Sequence, residues 1–371
     1  MRTLIGFRGR LHDPRTATAI GRWLGAGVLV CFTTGLISHG LQTPPGWLAP
    51  HLPSRPVWGY RVTQGLHVAT GIALVPLLLA KLWTVYPRLF VKPPVRSVRH
   101  GLERLSIAVL VTAALLEVLL GLVNIAQWYP WPFGFKRVHW ALAWVLCGAL
   151  LLHLAVKAPL IAAHWRRADP AADPDADDRR ALLLGVGAAV GAVTLVTAGQ
   201  SLPPLRRLTL LAPRRPDGTA QGLPVNRTAA EAGVAGLSAD TWRLTVTGPR
   251  GYVLSLAELR ALPQHSARLP IACVEGWSAS ADWTGVRLVD LLARANAPED
   301  AFVRVVSAQR RGGYRVSEMP PAYARDPLTL LALRINGQVL SADHGFPARI
   351  IAPNRPGVWQ TKWVSRIEVL R

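Results

Sequence analysis

The sequence predicts a protein in two parts: an all-α membrane region of four helices plus one anchoring helix, followed by an α+β domain. Three observations support this fold class. The 371 residues suffice for two or three domains at about 150 residues each. Half of the residues are hydrophobic and only 17% are charged, whereas roughly a quarter are charged in soluble domains. All long apolar segments end before residue 201, and short alternating strands with Pro/Gly turns follow.

Five segments are long enough to cross a bilayer, which needs about 20 mainly apolar residues. An acidic stretch rich in Pro and Ala, at 169–178, predicts a flexible linker before the last of them. The expected domains are therefore a four-helix unit at 1–168, the linker with the fifth helix at 169–200, and an outer domain at 201–371. The five segments are 20–38, 62–86, 105–124, 138–161 and 181–199.

The distribution of positive charge predicts the orientation in the membrane. Arginine and lysine are concentrated in the N-terminal tail, between the second and third segments, and before the fifth, whereas the other loops are rich in Trp and Tyr. The positive-inside rule then places the N-terminus in the cytoplasm and residues 201–371 outside the cell membrane. The charge of +21 is thereby explained without nucleic acid. The pair Arg179-Arg180 is either a positive-inside anchor or a twin-arginine export signal.

Histidines in the apolar segments predict haem binding. His139 and His153 are fourteen residues apart, which on a helix is a rise of about 21 Å within about 40° of one face. His67 lies at a depth similar to that of His139, and His39 ends the first segment. Imidazole is a common axial ligand of haem iron, and ionisable groups in spans are generally functional. The alternative is that these are interfacial or core histidines.

This arrangement resembles the four-helix cytochrome b subunits of the b561 and formate-dehydrogenase gamma type. The resemblance implies haem b and electron exchange with membrane quinone, with His67 and His139 as the outer pair. The inner histidine of the first helix is replaced near Arg22-Trp23, so one haem is expected and a second, at His153, is possible; His39 is the least certain ligand. Glu117 either relays protons to a quinone or has an internal structural role, and Lys81 is expected to snorkel.

The polar half carries a series of motifs around its single cysteine, Cys273. They are Ala-Cys-Val-Glu-Gly-Trp-Ser, Asp-Trp-Thr-Gly-Val, Asp-His-Gly-Phe-Pro-Ala-Arg, Ala-Pro-Asn-Arg-Pro-Gly and Lys-Trp-Val-Ser-Arg-Ile. Over about 223–371 these resemble the molybdopterin-binding domain of the sulfite oxidase superfamily, with the greatest likeness to periplasmic methionine sulfoxide reductase catalytic subunits. Strands at 243–246, 302–306 and 332–335 agree with the mixed α+β fold that this resemblance implies.

The resemblance implies that Cys273 is the catalytic thiolate ligand of molybdenum, completing a soft ligand set with the pterin dithiolene. The alternative for Cys273 is a buried inert thiol. The paired arginines 214–215 and 310–311 are interpreted as solvated loop charges. Arg349, Lys362 and Asn226 match family positions that contact the cofactor. His344 stands where the family relative has Asn, and Ser307 aligns with a Thr near the metal; the alternative for each of these five is a surface charge or a turn residue. Arg268 and Arg355 are candidates for binding phosphate or substrate.

Together these patterns predict a membrane-bound molybdenum oxidoreductase that transfers an oxygen atom to or from a small substrate of the sulfite or sulfoxide class. Electrons would pass between the molybdopterin and membrane quinone through haem b. The Cys-Val-Glu-Gly-Trp-Ser motif favours the sulfoxide reductase direction over the sulfite dehydrogenase direction. The alternative function is a non-catalytic haem-binding membrane protein whose outer domain binds a partner.

Overall fold

The computed structural model describes residues 11–90, 95–165, 175–199, 203–212, 214, 219 and 221–370. The chain divides into two compact units. The helical unit comprises Met1–Thr33, Leu66–Gly199 and Arg207–Pro213, and the sheet unit comprises Thr34–Gly65, Gln200–Arg206 and Arg214–Arg371. Most of the predicted linker, at 169–174, and the predicted domain start at 201 lie outside the described residues, so those domain boundaries stay predictions.

Long apolar helices occupy all five predicted segments, which confirms the helical N-terminal region. Each helix is long and apolar enough to cross a membrane. Many of their large side chains are exposed, such as Leu29, Leu115 and Leu151, as expected for a surface that faces lipid rather than water. The helices are α1 (Pro14–Gln42), α2 (Gly59–Leu89), α3 (Val98–Ile125), α4 (Phe135–Ala163) and α5 (Ala176–Ala198).

Polar side chains of the helical unit find partners on neighbouring helices. The Lys157 ammonium of α4 lies 2.5 Å from Glu103 of α3. Lys81 of α2, which was expected to snorkel, donates a hydrogen bond to the Ala17 carbonyl of α1 at 2.6 Å. Because an unpartnered charge among apolar helices is costly, these contacts specify which faces of α1 to α4 meet.

The sheet unit contains two five-stranded sheets. In the first, the strand order is β2-β1-β10-β5-β6, with β1 and β10 parallel and the other pairs antiparallel. Alternate residues of β1 and β5 are buried, which is the pattern of strands with one face against a core. These strands are β1 (Arg243–Thr247), β2 (Tyr252–Ser255), β5 (Val303–Ser307), β6 (Val316–Met319) and β10 (Val364–Val369).

The second sheet has the order β3-β4-β7-β8, and β9 pairs with β7; all of its pairs are antiparallel. With the first sheet and four short helices, it confirms the predicted α+β fold. Its strands are β3 (His265–Ala272), β4 (Ser278–Arg287), β7 (Leu330–Ile335), β8 (Gln338–Val339) and β9 (Arg349–Ile351). The helices are α6 (Ala229–Ala232), α7 (Leu256–Ala261), α8 (Leu288–Arg294) and α9 (Pro321–Ala324).

The turn between β3 and β4 presents Cys273. The Cys273 amide donates to the Trp277 carbonyl at 2.9 Å, and the Gly276 amide donates to the Cys273 carbonyl at 3.1 Å. Gly276 has a φ of +86°, which is readily available to glycine and not to most other residues. On both sides of the turn the sheet packs on a core that includes Leu269, Ile271 and Trp277, so the cysteine is held by rigid structure.

Within the sheet unit, Asn354 holds residues 53–60, which include the start of α2. Its Oδ1 atom accepts a hydrogen bond from the Tyr60 amide at 2.6 Å, and its Nδ2 atom donates to the Pro53 carbonyl at 2.8 Å. Asn354 has a φ of +51°, in the left-handed region that Asn tolerates better than most residues. A side chain at Gly59 would lie only 2.7 Å from Asn354 Oδ1, so the start of α2 has to be glycine for this approach.

Replacing this asparagine tests its importance for the sheet unit. Asn354→Ala leaves the backbone amide of Tyr60, a residue that is 1% exposed, without an acceptor, and we expect a loss of about 1–3 kcal/mol in the free energy of unfolding. Thermal unfolding measures this loss, and limited proteolysis should show faster cleavage at 43–58. Asn336→Ala is the control, since Asn336 also has a positive φ but bonds to Gln221 and Asp282. Equal cleavage at 43–58 in both variants would contradict the docking role of Asn354.

Candidate metal and cofactor sites

The Cys273 thiol is buried and held by a short hydrogen-bond chain. The Asn226 Nδ2 atom donates to Cys273 Sγ at 2.8 Å, and Asn226 Oδ1 accepts from Trp277 Nε1 at 3.1 Å. The indole thereby orients the amide so that its NH₂ group points at the sulfur. An amide donor at this position stabilises negative charge on sulfur, which is the form that binds metals.

Burial, and after it the Glu275 carboxylate, raises the pKa of the Cys273 thiol to about 12, although the hydrogen bonds from the Glu275 amide and Asn226 and the Arg214 charge oppose the rise. The thiol is therefore protonated at neutral pH until a cation replaces the proton. Within the described residues, no three His, Cys, Asp or Glu side chains converge on a metal position. A metal on Cys273 thus needs further ligands from a cofactor, as the dithiolene of molybdopterin would provide.

The positions of two residues near Cys273 were not predicted from the sequence. Arg214, interpreted as a solvated loop charge, instead pairs with the buried Glu275 at 3.0 Å; that interpretation is wrong. Tyr314 has a φ of +60°, rare for a bulky side chain and often found at functional sites. Burial and the nearby Cys273 raise the pKa of Tyr314, and its ring packs edge-on against Trp359 with 5.1 Å between ring centres.

A half-buried lysine, Lys362, and a buried arginine, Arg349, carry positive charge in this part of the domain without a carboxylate in contact. Lys362 Nζ donates to the carbonyls of Arg227 and Asp343 at 2.6 and 2.8 Å. Arg349 donates to the carbonyls of His344 and Gln360 at 3.0 and 3.2 Å. In the described part of the chain, neither cation lies within 4 Å of a carboxylate, and Arg349 Nε is buried with no hydrogen-bond acceptor.

The electrostatics of these cations fit an anionic cofactor group. Burial lowers the pKa of Arg349 to about 9 and, together with the nearby Arg349 and Arg227 charges, that of Lys362 to about 7, because a buried charge loses hydration. The carboxylates of Asp343 and Glu231 offset the shift of Lys362 only in part. A phosphate would supply the missing negative charge and accept hydrogen bonds from both side chains. The residues present therefore fit the phosphate of a molybdopterin.

Of the remaining predicted cofactor residues, Ser307, His344 and Arg355 are buried and Arg268 is exposed. Ser307 Oγ donates to the Lys362 carbonyl at 2.7 Å, and His344 Nε2 lies 2.8 Å from the Leu223 carbonyl oxygen. Arg355 is buried and donates to the Trp359 carbonyl at 3.1 Å. Arg268 is exposed on β3, where it pairs with Asp282 at 2.9 Å, and no described contact joins it to the cysteine network.

In the helical unit, His67 and His139 face each other. Their ring centres are 6.1 Å apart and their planes are nearly perpendicular, at 85°. Two imidazoles on one iron would have ring centres about 6 Å apart if each metal–nitrogen bond is about 2 Å long, as for zinc. His67 Nδ1 lies 2.9 Å from the Cys31 carbonyl oxygen, which leaves its Nε2 for a metal. The pair therefore fits bis-histidine coordination of a haem.

The other two predicted haem ligands have different surroundings. His153 interacts electrostatically with Lys81, Lys157 and Glu103, and no imidazole contact of the His67–His139 kind involves it within the residues described. His39 belongs to the sheet unit, and its carbonyl accepts a hydrogen bond from the Thr43 amide at 2.8 Å. An inner haem at His153 stays a prediction that no contact supports.

Comparison with known proteins identifies the C-terminal domain. Residues 231–371 match the family model of the oxidoreductase molybdopterin binding domain. Mitochondrial sulfite oxidase from Rattus norvegicus is 33% identical over 165 residues, which cover 37% of this chain and 30% of that protein. The methionine-sulfoxide reductase catalytic subunit MsrP from Burkholderia mallei is 32% identical over 142 residues, covering 34% and 43%.

A third relative is the putative protein-methionine-sulfoxide reductase subunit YedZ1 from Azospira oryzae, 33% identical over 162 residues that cover 43% of this chain and 61% of that protein. The chain spans less than two thirds of each of these three relatives. The matches confirm that the C-terminal part is a molybdopterin-binding oxidoreductase domain of the sulfite oxidase type.

The role of the buried cations is open to a direct test. Lys362→Met and Arg349→Met each remove one charge-assisted hydrogen bond to the cofactor, worth about 1.5–3 kcal/mol, so molybdenum per polypeptide should fall about tenfold or more after dialysis. Elemental analysis of purified protein gives this ratio. Arg304→Met is the control, because Arg304 is partly exposed and pairs with Glu318. Unchanged molybdenum content in both buried variants would exclude these cations from cofactor binding.

Proposed function

We propose that this protein is a membrane-bound molybdenum oxidoreductase that transfers an oxygen atom to or from sulfur in a small substrate. The observation that carries the proposal is the buried Cys273, held by Asn226 beside two unpaired cations in a molybdopterin-binding domain. When bound, the molybdenum cofactor supplies the two-electron transfer of oxygen between water and the substrate sulfur.

Each residue of the site then has a definable task. Cys273 provides the protein ligand, and Asn226 orients its sulfur and stabilises the thiolate. Lys362 and Arg349 neutralise the cofactor anion from inside the domain. Tyr314, which is close enough to interact electrostatically with Cys273, packs edge-on against Trp359 and is a candidate for contact with the substrate.

The proposal includes haem b in the helical unit and exchange of electrons with membrane quinone. The spacing of 6.1 Å between the His67 and His139 rings supports one haem. Five helices of spanning length and the positive charge of alternate loops support a multi-pass protein of the cell membrane, with the N-terminus in the cytoplasm and the molybdopterin domain outside.

The substrate is proposed to belong to the sulfite or sulfoxide class. Relatives of this chain carry the names sulfite oxidase and methionine-sulfoxide reductase, and the two reactions run in opposite directions on the same kind of site. The Cys-Val-Glu-Gly-Trp-Ser motif favours sulfoxide reduction. Electrons would then flow from quinone through the haem to molybdenum.

The thiolate is tested by Cys273→Ser. A hydroxyl is a poor ligand for a soft metal site, so methionine sulfoxide reduction and sulfite oxidation should both fall below a few per cent of wild type, with the haem spectrum intact. Cys147→Ser, on α4, is the matched control and should keep full activity. Retention of activity in the Cys273 variant would remove this residue from the metal.

The haem assignment is tested by alanine variants of the histidines. His67→Ala and His139→Ala should each eliminate the same low-spin signal in the reduced-minus-oxidised spectrum, because either change leaves one axial position of the iron without its ligand. His153→Ala should leave that signal in place. If all three variants keep wild-type spectra, the chain is not a cytochrome.

A further inference from the structure

We propose that Glu117 is a positioning residue for the haem: it orients His139 toward the iron and lowers the reduction potential of that haem. The inference rests on the proposed haem between His67 and His139. It assigns a task to a charged residue that lies in the middle of α3, where the surrounding helices are apolar.

The contact between Glu117 and His139 is short and largely buried. Glu117 Oε2 lies 2.9 Å from His139 Nδ1, and the two side chains are 11% and 23% exposed. The second carboxylate oxygen, Oε1, is buried and makes no hydrogen bond to any described residue. A carboxylate in such surroundings is strongly unfavourable unless a partner compensates it, so its presence here calls for a positive partner.

The two histidines differ in the group behind each ring. His67 Nδ1 lies 2.9 Å from the carbonyl oxygen of Cys31, a neutral acceptor, whereas His139 Nδ1 faces the carboxylate of Glu117. In metal sites, the group that accepts the outer ring N–H sets the tautomer and ring orientation and raises the basicity of the ligand. With both Nδ1 atoms directed outward, the two Nε2 atoms are left for iron.

Iron binding to His139 would align its Nδ1 atom to donate a hydrogen bond to Glu117. The distance of 2.9 Å is that of a hydrogen bond, although His139 Nδ1 is not aligned to donate one. Phe135, one turn earlier on α4, stacks on the His139 ring with 5.0 Å between ring centres and 25° between planes, which restricts the orientation of the ring. Coordination at Nε2 would fix the ring and direct its N–H toward the carboxylate.

The charge of Glu117 then acts on the iron through His139. Ferric haem carries one more positive charge than ferrous haem, so a nearby carboxylate stabilises the ferric state more than the ferrous state. The apolar helices around the site provide little screening, which strengthens this effect. A haem with Glu117 should therefore have a lower reduction potential than the same haem with a neutral residue at this position.

A redox titration of the full-length protein with Glu117→Gln tests the proposal. The amide keeps the size of the side chain and loses its charge. We expect the low-spin haem spectrum to persist and the midpoint potential to rise, with the ferric-to-ferrous ratio at fixed potential falling at least tenfold, or about 59 mV for a one-electron couple.

Glu103→Gln is the matched control, since Glu103 is also a carboxylate of α3 but pairs with Lys157 rather than with His67 or His139. It should shift the potential far less. An unchanged potential in Glu117→Gln, or equal shifts in the two variants, would overturn the proposal.

Glu117→Asp keeps the test decisive if the glutamine variant loses its haem. Haem retained by the aspartate variant at a potential near that of wild type supports a carboxylate that positions His139, whereas loss of haem in both variants shows a folding role and overturns the proposal. The proposed function fails separately, if His67→Ala and His139→Ala leave the haem signal unchanged.

Discussion

Positive charge that is largely removed from water, with no carboxylate within 4 Å in the described part of the chain, is the constraint on which the sheet unit depends. Lys362 and Arg349 are held by backbone carbonyls, which accept hydrogen bonds but do not neutralise a cation. The pKa of the Cys273 thiol is raised, so the thiol keeps its proton at neutral pH until a metal ion replaces it. Both features are costly in an empty domain and favourable once an anionic, metal-carrying cofactor is bound. The cofactor is therefore expected to be part of the folded state.

The helical unit contains a comparable buried charge of the opposite sign. Glu117 is a buried carboxylate whose near neighbour is an imidazole, and that imidazole faces the ring of His67. An iron ion between the two imidazole rings would supply the positive charge that compensates the Glu117 carboxylate. In both units, the proposed cofactor would bring a charge opposite to that of the ionisable groups around it and make their burial favourable.

Much of the fold follows from local sequence patterns. The apolar runs predict α1 to α5, and alternation predicts strands such as β1 and β5, because both signals lie within single elements. The Cys273 motif predicted a metal ligand, and the structure places that thiol in a buried turn beside Asn226; its role as a ligand stays a proposal. The contacts of Asn354 with Pro53 and Tyr60, of Arg214 with Glu275 and of Glu117 with His139 were not predictable, since each joins residues far apart in the chain or depends on a side-chain direction that periodicity does not specify.

In the proposed function, one chain couples oxygen-atom transfer at Cys273 to a haem between His67 and His139. The most direct test of this coupling is an anaerobic optical spectrum of the purified full-length protein. The haem is first reduced by a limited amount of dithionite and methionine sulfoxide is then added, or the oxidised protein is mixed with sulfite. We expect the haem to be oxidised by the sulfoxide or reduced by sulfite. A haem spectrum that neither compound changes, in protein that contains molybdenum, would contradict it.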